Sequence, residues 1–147
     1  MNLFNLTHVG YTHNKAVELI NKVTPSLLEK IKYEIKDSIP YEAIRTGHEQ
    51  GAEYFQIAGF YCYEKKHICL CDRSTLKTAL HEIGHAVHHQ IFDFKELILS
   101  AEGKSERAEL NYLEDFAEAF AAFFINSEES NSFSKRDFEI QSLLNNY

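Results

Sequence analysis

The sequence predicts a small α+β domain, and three observations predict it. A middle stretch carries aromatic and branched runs bounded by polar turns. From Leu76 to Phe92 the apolar residues switch to helical spacing. Segments with helical spacing flank this centre on both sides. The length of 147 residues fits one domain over 1–147. It is long enough to bury a core without disulfide or metal staples.

The first element is expected to be helical from about residue 13 to 36, with Ala16, Leu19, Ile20 and Val23 on one face. Thr24-Pro25-Ser26 interrupts it, and Pro25 suits the first turn of a second helix. Leu27 to Ile35 is read as that second helix, with a strand at its end as the alternative. Ile39 to Thr46 is expected as a short strand, at an edge or at a strand start because of Pro40. Tyr54 to Tyr63, the polar turn Glu64-Lys65-Lys66, and His67 to Cys71 read as a hairpin. The next helix spans Leu76 to Phe92, with Asp72 or Ser74 as its cap. After a turn at Gly103-Lys104-Ser105, a long helix is expected from about Glu106 to Ile125, then a polar loop from Asn126 to Asn131. A last helix starts at Ser134, with Asp137 completing a capping box and Phe133 stapled onto Phe138.

A formal net charge of −7 argues against nucleic acid as a partner, because phosphate binding needs a basic face. No apolar run approaches the roughly 18 residues of a membrane span. Met1 to His8 lacks the basic and apolar regions of a secretory signal. The cytoplasm is therefore the expected compartment, with secretion by another route left open. The odd set Cys62, Cys69 and Cys71 fits reduced thiols better than a disulfide framework. Cys69-Leu70-Cys71 is too tightly spaced for a usual zinc pair and reads as small core residues.

The chemistry concentrates at His81-Glu82-Ile83-Gly84-His85, which matches His-Glu-x-x-His within a predicted helix. Residues four apart share a helix face, so both imidazoles can reach one ion. They project roughly opposite Leu76, Leu80, Ile83 and Val87, leaving one face for the core and one for a cleft. Glu82 sits about 100° round from His81, beside the pair, within reach of a water but not a ligand. A chance match on a polar helix face is the rival reading. His88 and His89 also invite attention. The six-residue spacing that a metzincin needs after His85 falls on Ile91, so both are read as exposed or supporting residues.

Zinc needs a third protein ligand and one open position. The later helix offers Glu114 and Glu118, four apart in Glu114-Asp115-Phe116-Ala117-Glu118-Ala119-Phe120. Carboxylates on so apolar a segment are costly unless paired or bound to metal, although they could also form its wet face.

Together, His81-Glu82-Ile83-Gly84-His85-Ala86-Val87-His88 and Glu114-Asp115-Phe116-Ala117-Glu118-Ala119-Phe120 resemble the toxin-like zinc metallopeptidases. That family includes the anthrax lethal factor catalytic domain and the secreted Pro-Pro endopeptidases. The likeness covers roughly Cys69 to Phe124. It implies a zincin-like domain with N-terminal helices, a short sheet with an edge strand, the motif helix, a glutamate-bearing helix and a C-terminal helix. It also implies zinc held by His81, His85 and Glu114, with Glu118 as a supporting acid. The implied substrate is a protein or peptide laid along an edge strand, here His67 to Cys71. Two features depart from the family. Only 29 positions separate His85 from Glu114, a shorter link than in those relatives. A catalytic Tyr stands seven residues before the family's Glu ligand, and here that position is Arg107. Either Arg107 replaces that Tyr as oxyanion stabiliser, or another Tyr reaches in, or the chain is a weak or altered enzyme.

The expected activity is endopeptidase hydrolysis by metal-activated water, with Glu82 as general base. The alternatives are a metal-containing protein-binding domain without catalysis, and a repressor-cleaving intracellular zinc peptidase of a mobile element.

Overall fold

The computed structural model describes residues 7–40, 58–102, 104–109, 111–129 and 132–147. The first helix, α1 (His8–Val23), starts earlier than its spacing suggested. The Thr7 hydroxyl caps it by accepting the Gly10 N–H at 3.0 Å. Ala16, Leu19 and Ile20 face the core from it.

The second predicted helix is absent from this stretch. One 3-10 turn, Leu28–Lys30, leads into strand β1 (Glu34–Lys36). The reason is legible in Ile31-Lys32-Tyr33-Glu34-Ile35-Lys36, where burial alternates with period two. Gln90 clamps this entry: its Oε1 accepts the Lys32 N–H at 2.8 Å and its amide donates to the Lys32 carbonyl at 2.7 Å. Most of the strand expected over Ile39 to Thr46 lies outside the described residues, as do Tyr54 to Ile57.

The hairpin forms as expected, with β2 (Gly59–Cys62) antiparallel to β3 (His67–Leu70). Strand β1 pairs with β3 in parallel, so the order is β1-β3-β2. This corrects one expectation: His67–Leu70 is the central strand, not an edge. Ile68, Cys69 and Leu70 are buried in succession, the pattern of a strand covered on both faces. Among the described residues, β2 is the edge strand beside the motif helix.

That helix, α2 (Leu76–Gln90), is capped by neither Asp72 nor Ser74. Thr75 caps it in a reciprocal box with Thr78, while the Ser74 hydroxyl donates to the Ala58 carbonyl. The next helix, α3 (Tyr112–Glu129), starts later and ends later than expected. A separate 3-10 turn, Arg107–Glu109, precedes it. Asn111 interrupts the pattern because its side chain accepts the Glu114 N–H at 2.9 Å, a helix cap rather than a helix interior. Helix α4 (Lys135–Leu143) has the expected Ser134–Asp137 box, and the Phe133 and Phe138 rings meet at 5.4 Å.

The core lies where α1, α2, α3 and the sheet meet, centred on Leu80, Ile83, Phe116, Phe120 and Phe124. Gly84 lets α2 and α3 approach closely: a Cβ there would stand 3.1 Å from Phe120 Cδ1. No helix among the described residues is long and apolar enough to cross a membrane.

Candidate metal centre

Helix α2 supplies two imidazoles and α3 supplies the carboxylate that meets them. His81 and His85 stand one turn apart, with ring centroids 4.8 Å apart and planes crossed at 82°. Glu114 bridges them. Its Oε2 is 2.8 Å from His81 Nε2, and its Oε1 is 3.2 Å from His85 Nε2. The three ligand atoms all lie within 4.8 Å of one another, a group that could hold a metal ion. Ligands about 2.0–2.1 Å from a tetrahedral zinc are spaced on that scale.

Glu114 is placed from two sides. It occupies the first turn of α3, where the helix dipole favours a negative charge. Its neighbour Asp115 is buried in an ion pair with Arg136 of α4, whose guanidinium also donates to the Ser100 carbonyl at 2.9 Å. That pair pins the first turn of α3 against α4 and so fixes where Glu114 emerges. The sequence reading missed Asp115 and Arg136, and no local pattern announces a pair 21 positions apart.

Glu118 lies one turn further along α3, on the far side of His81. Its Oε2 accepts from His81 Nδ1 at 3.0 Å. The Ser105 hydroxyl donates to its Oε1 at 3.2 Å, and the same hydroxyl accepts the Ala108 N–H at 3.1 Å. The 3-10 turn that carries Arg107 is thereby tied to Glu118.

The electrostatics follow from this crowding. Burial works to lower the His81 pKa, but the Glu114 and Glu118 carboxylates outweigh it and raise it to about 10. Burial likewise works to raise the Glu114 pKa, but the two imidazoles prevail and hold it well below the usual carboxylate range. Glu118 is lowered as well, with His81 overcoming its burial.

The donor set fits a metal ion on two further counts. Among the described residues, His81 Nε2 is a buried polar atom without an aligned hydrogen-bond partner, although Glu114 Oε2 is close. The short approach lacks hydrogen-bond alignment, as for two atoms aimed at a common third body. Two imidazoles and one carboxylate also form a familiar catalytic-zinc donor set that leaves a fourth position open.

Glu82 is only 5% exposed, and no hydrogen bond or ion pair holds its carboxylate among the described residues. It lies on the β2 side of α2, within contact of Gly59. Its charge is felt at His81, whose pKa it helps to raise, which makes this carboxylate a candidate reactive group. The expected division of α2 into a core face and an open face does not hold. His81 and Glu82 are buried as well, because α3 and β2 close over them.

His88 and His89 do not join the ligand group. His88 is a core residue with no exposure, not the exposed or supporting one expected. Its Nε2 meets the Lys95 carbonyl at 2.7 Å, and its ring stacks on Phe116 at 4.6 Å. His89 is half-buried, pairs with the Tyr61 hydroxyl at 2.8 Å and stacks on Phe94. The cysteines are free thiols outside the group, and burial pushes Cys69 up to about 11.

Comparison with protein family models, curated proteins and solved structures finds no match to this chain.

Proposed function

We propose that this chain is a zinc-dependent endopeptidase. The observation that carries the reading is the meeting of His81, His85 and Glu114 from two helices, with Glu82 buried on the helical turn that carries both histidines. A bound zinc ion at such a site lowers the pKa of a coordinated water to about 7 and draws charge from a peptide carbonyl.

The chain's own residues do the rest. Glu118 accepts the His81 Nδ1–H, which would leave the Nε2 lone pair available to a metal ion. The Glu82 carboxylate takes a proton from the attacking water and delivers it to the departing amine. Arg107 opens the turn anchored by Ser105, and its side chain, which lies outside the described part of the structure, is the proposed donor to the developing oxyanion. The peptide adds as an extra strand to the outer edge of β2, the strand that flanks α2. This replaces His67–Leu70, whose two edges are already paired.

Arg107 also favours a second reading, a metal-containing domain that binds protein without cutting it. In the toxin-like peptidases that position holds a Tyr.

Mass spectrometry of purified protein tests the ligand set. Stoichiometric zinc is expected in the wild type and lost in His81→Ala, His85→Ala and Glu114→Ala. Zinc retained by Glu114→Ala would move the third ligand elsewhere. A peptide-library screen separates enzyme from binder. Glu82→Gln should keep its zinc and lose about 10²-fold or more of the hydrolysis. Wild-type rates in that variant would remove Glu82 from the mechanism.

A further inference from the structure

Gly59 opens β2 and pairs with Leu70 across the sheet. Its backbone does not require glycine, since its φ lies outside the left-handed range. The space around it does. A Cβ added there would stand 2.7 Å from Thr78 Cγ2, 2.9 Å from Glu82 Oε2 and 3.0 Å from Glu82 Cγ. Optimal carbon contacts lie at about 3.5–4.0 Å, so something would have to move.

The two neighbours differ in how easily they can move. Thr78 is β-branched and its hydroxyl is locked in the α2 capping box, where it accepts the Thr75 N–H at 3.1 Å. Glu82 is unbranched. Among the described residues no hydrogen bond or ion pair holds its carboxylate, and the Gly59 side of β2 packs against it. β2 and the first turn of α2 together form the mould.

We propose that Gly59 is a positioning residue for Glu82: the missing side chain on β2 makes the space that holds the Glu82 carboxylate against that strand. Its consequence for catalysis rests on the endopeptidase reading, whereas the placement of Glu82 rests on these contacts alone.

Gly59→Ala separates the two. Because the 2.7 Å contact with Thr78 Cγ2 must be relieved as well, the structural arm uses a crystal structure of metal-free Gly59→Ala/Thr78→Ser, which should show the Glu82 carboxylate displaced by about 1 Å with the capping box in place. A Glu82 that stays put while β2 shifts would overturn the proposal. In the zinc-loaded protein, zinc content should match wild type while kcat falls about 10- to 100-fold, the scale of a 1 Å misplacement. Glu82→Gln sets the floor. Wild-type kcat in Gly59→Ala would refute the positioning role even where Glu82→Gln is inactive. If the wild type holds zinc yet cuts no peptide, the endopeptidase reading fails and the structural arm still decides the role of Gly59. If Gly59→Ala does not fold, Gly59→Ala/Thr78→Ser removes the 2.7 Å contact, keeps the capping hydroxyl and leaves both Glu82 contacts intact.

Discussion

Removing the charge of Glu118 should weaken zinc binding without removing the site. Glu118 is 7% exposed and accepts from His81 Nδ1 at 3.0 Å. A hydrogen bond to a charged group contributes about 1.5–3 kcal/mol, against about 0.5–1.5 kcal/mol for a neutral one. Glu118→Gln keeps an acceptor, so it loses roughly the difference, about 1 kcal/mol or fivefold to tenfold in affinity. Glu118→Ala leaves the His81 Nδ1–H buried without an acceptor, and the loss should reach tenfold to hundredfold. The Lys77 contact at 3.9 Å adds little, because that lysine is 56% exposed. Glu118 also holds a competing proton on His81, so the loss is smaller at pH 7 and deepens toward pH 9. Competition against a chromophoric chelator at both pH values measures this, with circular dichroism as the check on folding. Wild-type zinc affinity in Glu118→Ala at both pH values would refute the supporting role.

Two further outcomes follow from the same geometry. Zinc affinity should climb with pH through the neutral range, by up to tenfold per unit, because the ion must displace a His81 proton held up to about pH 10. The metal-free chain has the opposite slope: stability from protonated His81 is fully present below pH 6.5 and is lost as pH rises through about 10. Calorimetry in buffers of different ionisation enthalpy should read about one proton released per zinc at pH 7, and none released would contradict the assignment. Gly84→Ala should loosen both fold and site. Its Cβ would meet Phe120 Cδ1, Cβ and Cγ at 3.1–3.2 Å, and the Phe120 Cβ cannot swing aside. Overpacking costs about 1–3 kcal/mol, against a helix-propensity gain of at most about 1 kcal/mol. Urea unfolding should therefore show a net loss together with weaker zinc binding, and an unchanged midpoint would count against the close α2–α3 contact.

Some of this was legible early because it is local. The hairpin, helix α2 and the Ser134–Asp137 cap each follow from a few neighbouring residues whose sterics and hydrogen bonds act within one turn. The His81–His85 pair belongs here too, since four-residue spacing fixes a shared helix face wherever the helix packs. The misread stretch from Leu27 to Ile35 was also local. The alternation from Ile31 to Lys36 carried the strand signal, and a helical reading of Leu27 onward overrode it.

The amino-acid order by itself therefore determined the hairpin, helix α2, the cap of α4 and which side chains could act as metal donors. Only the tertiary structure decided how they combine. Sheet order made His67–Leu70 central and, among the described residues, left β2 as the edge beside α2. The packing of α3 on α2 set Glu114 between the imidazoles and Glu118 behind one of them, across 37 positions of chain. The same packing buried His88 and gave Gly59 and Gly84 their meaning. Periodicity reports which face of an element is apolar, but it does not report what that face will meet.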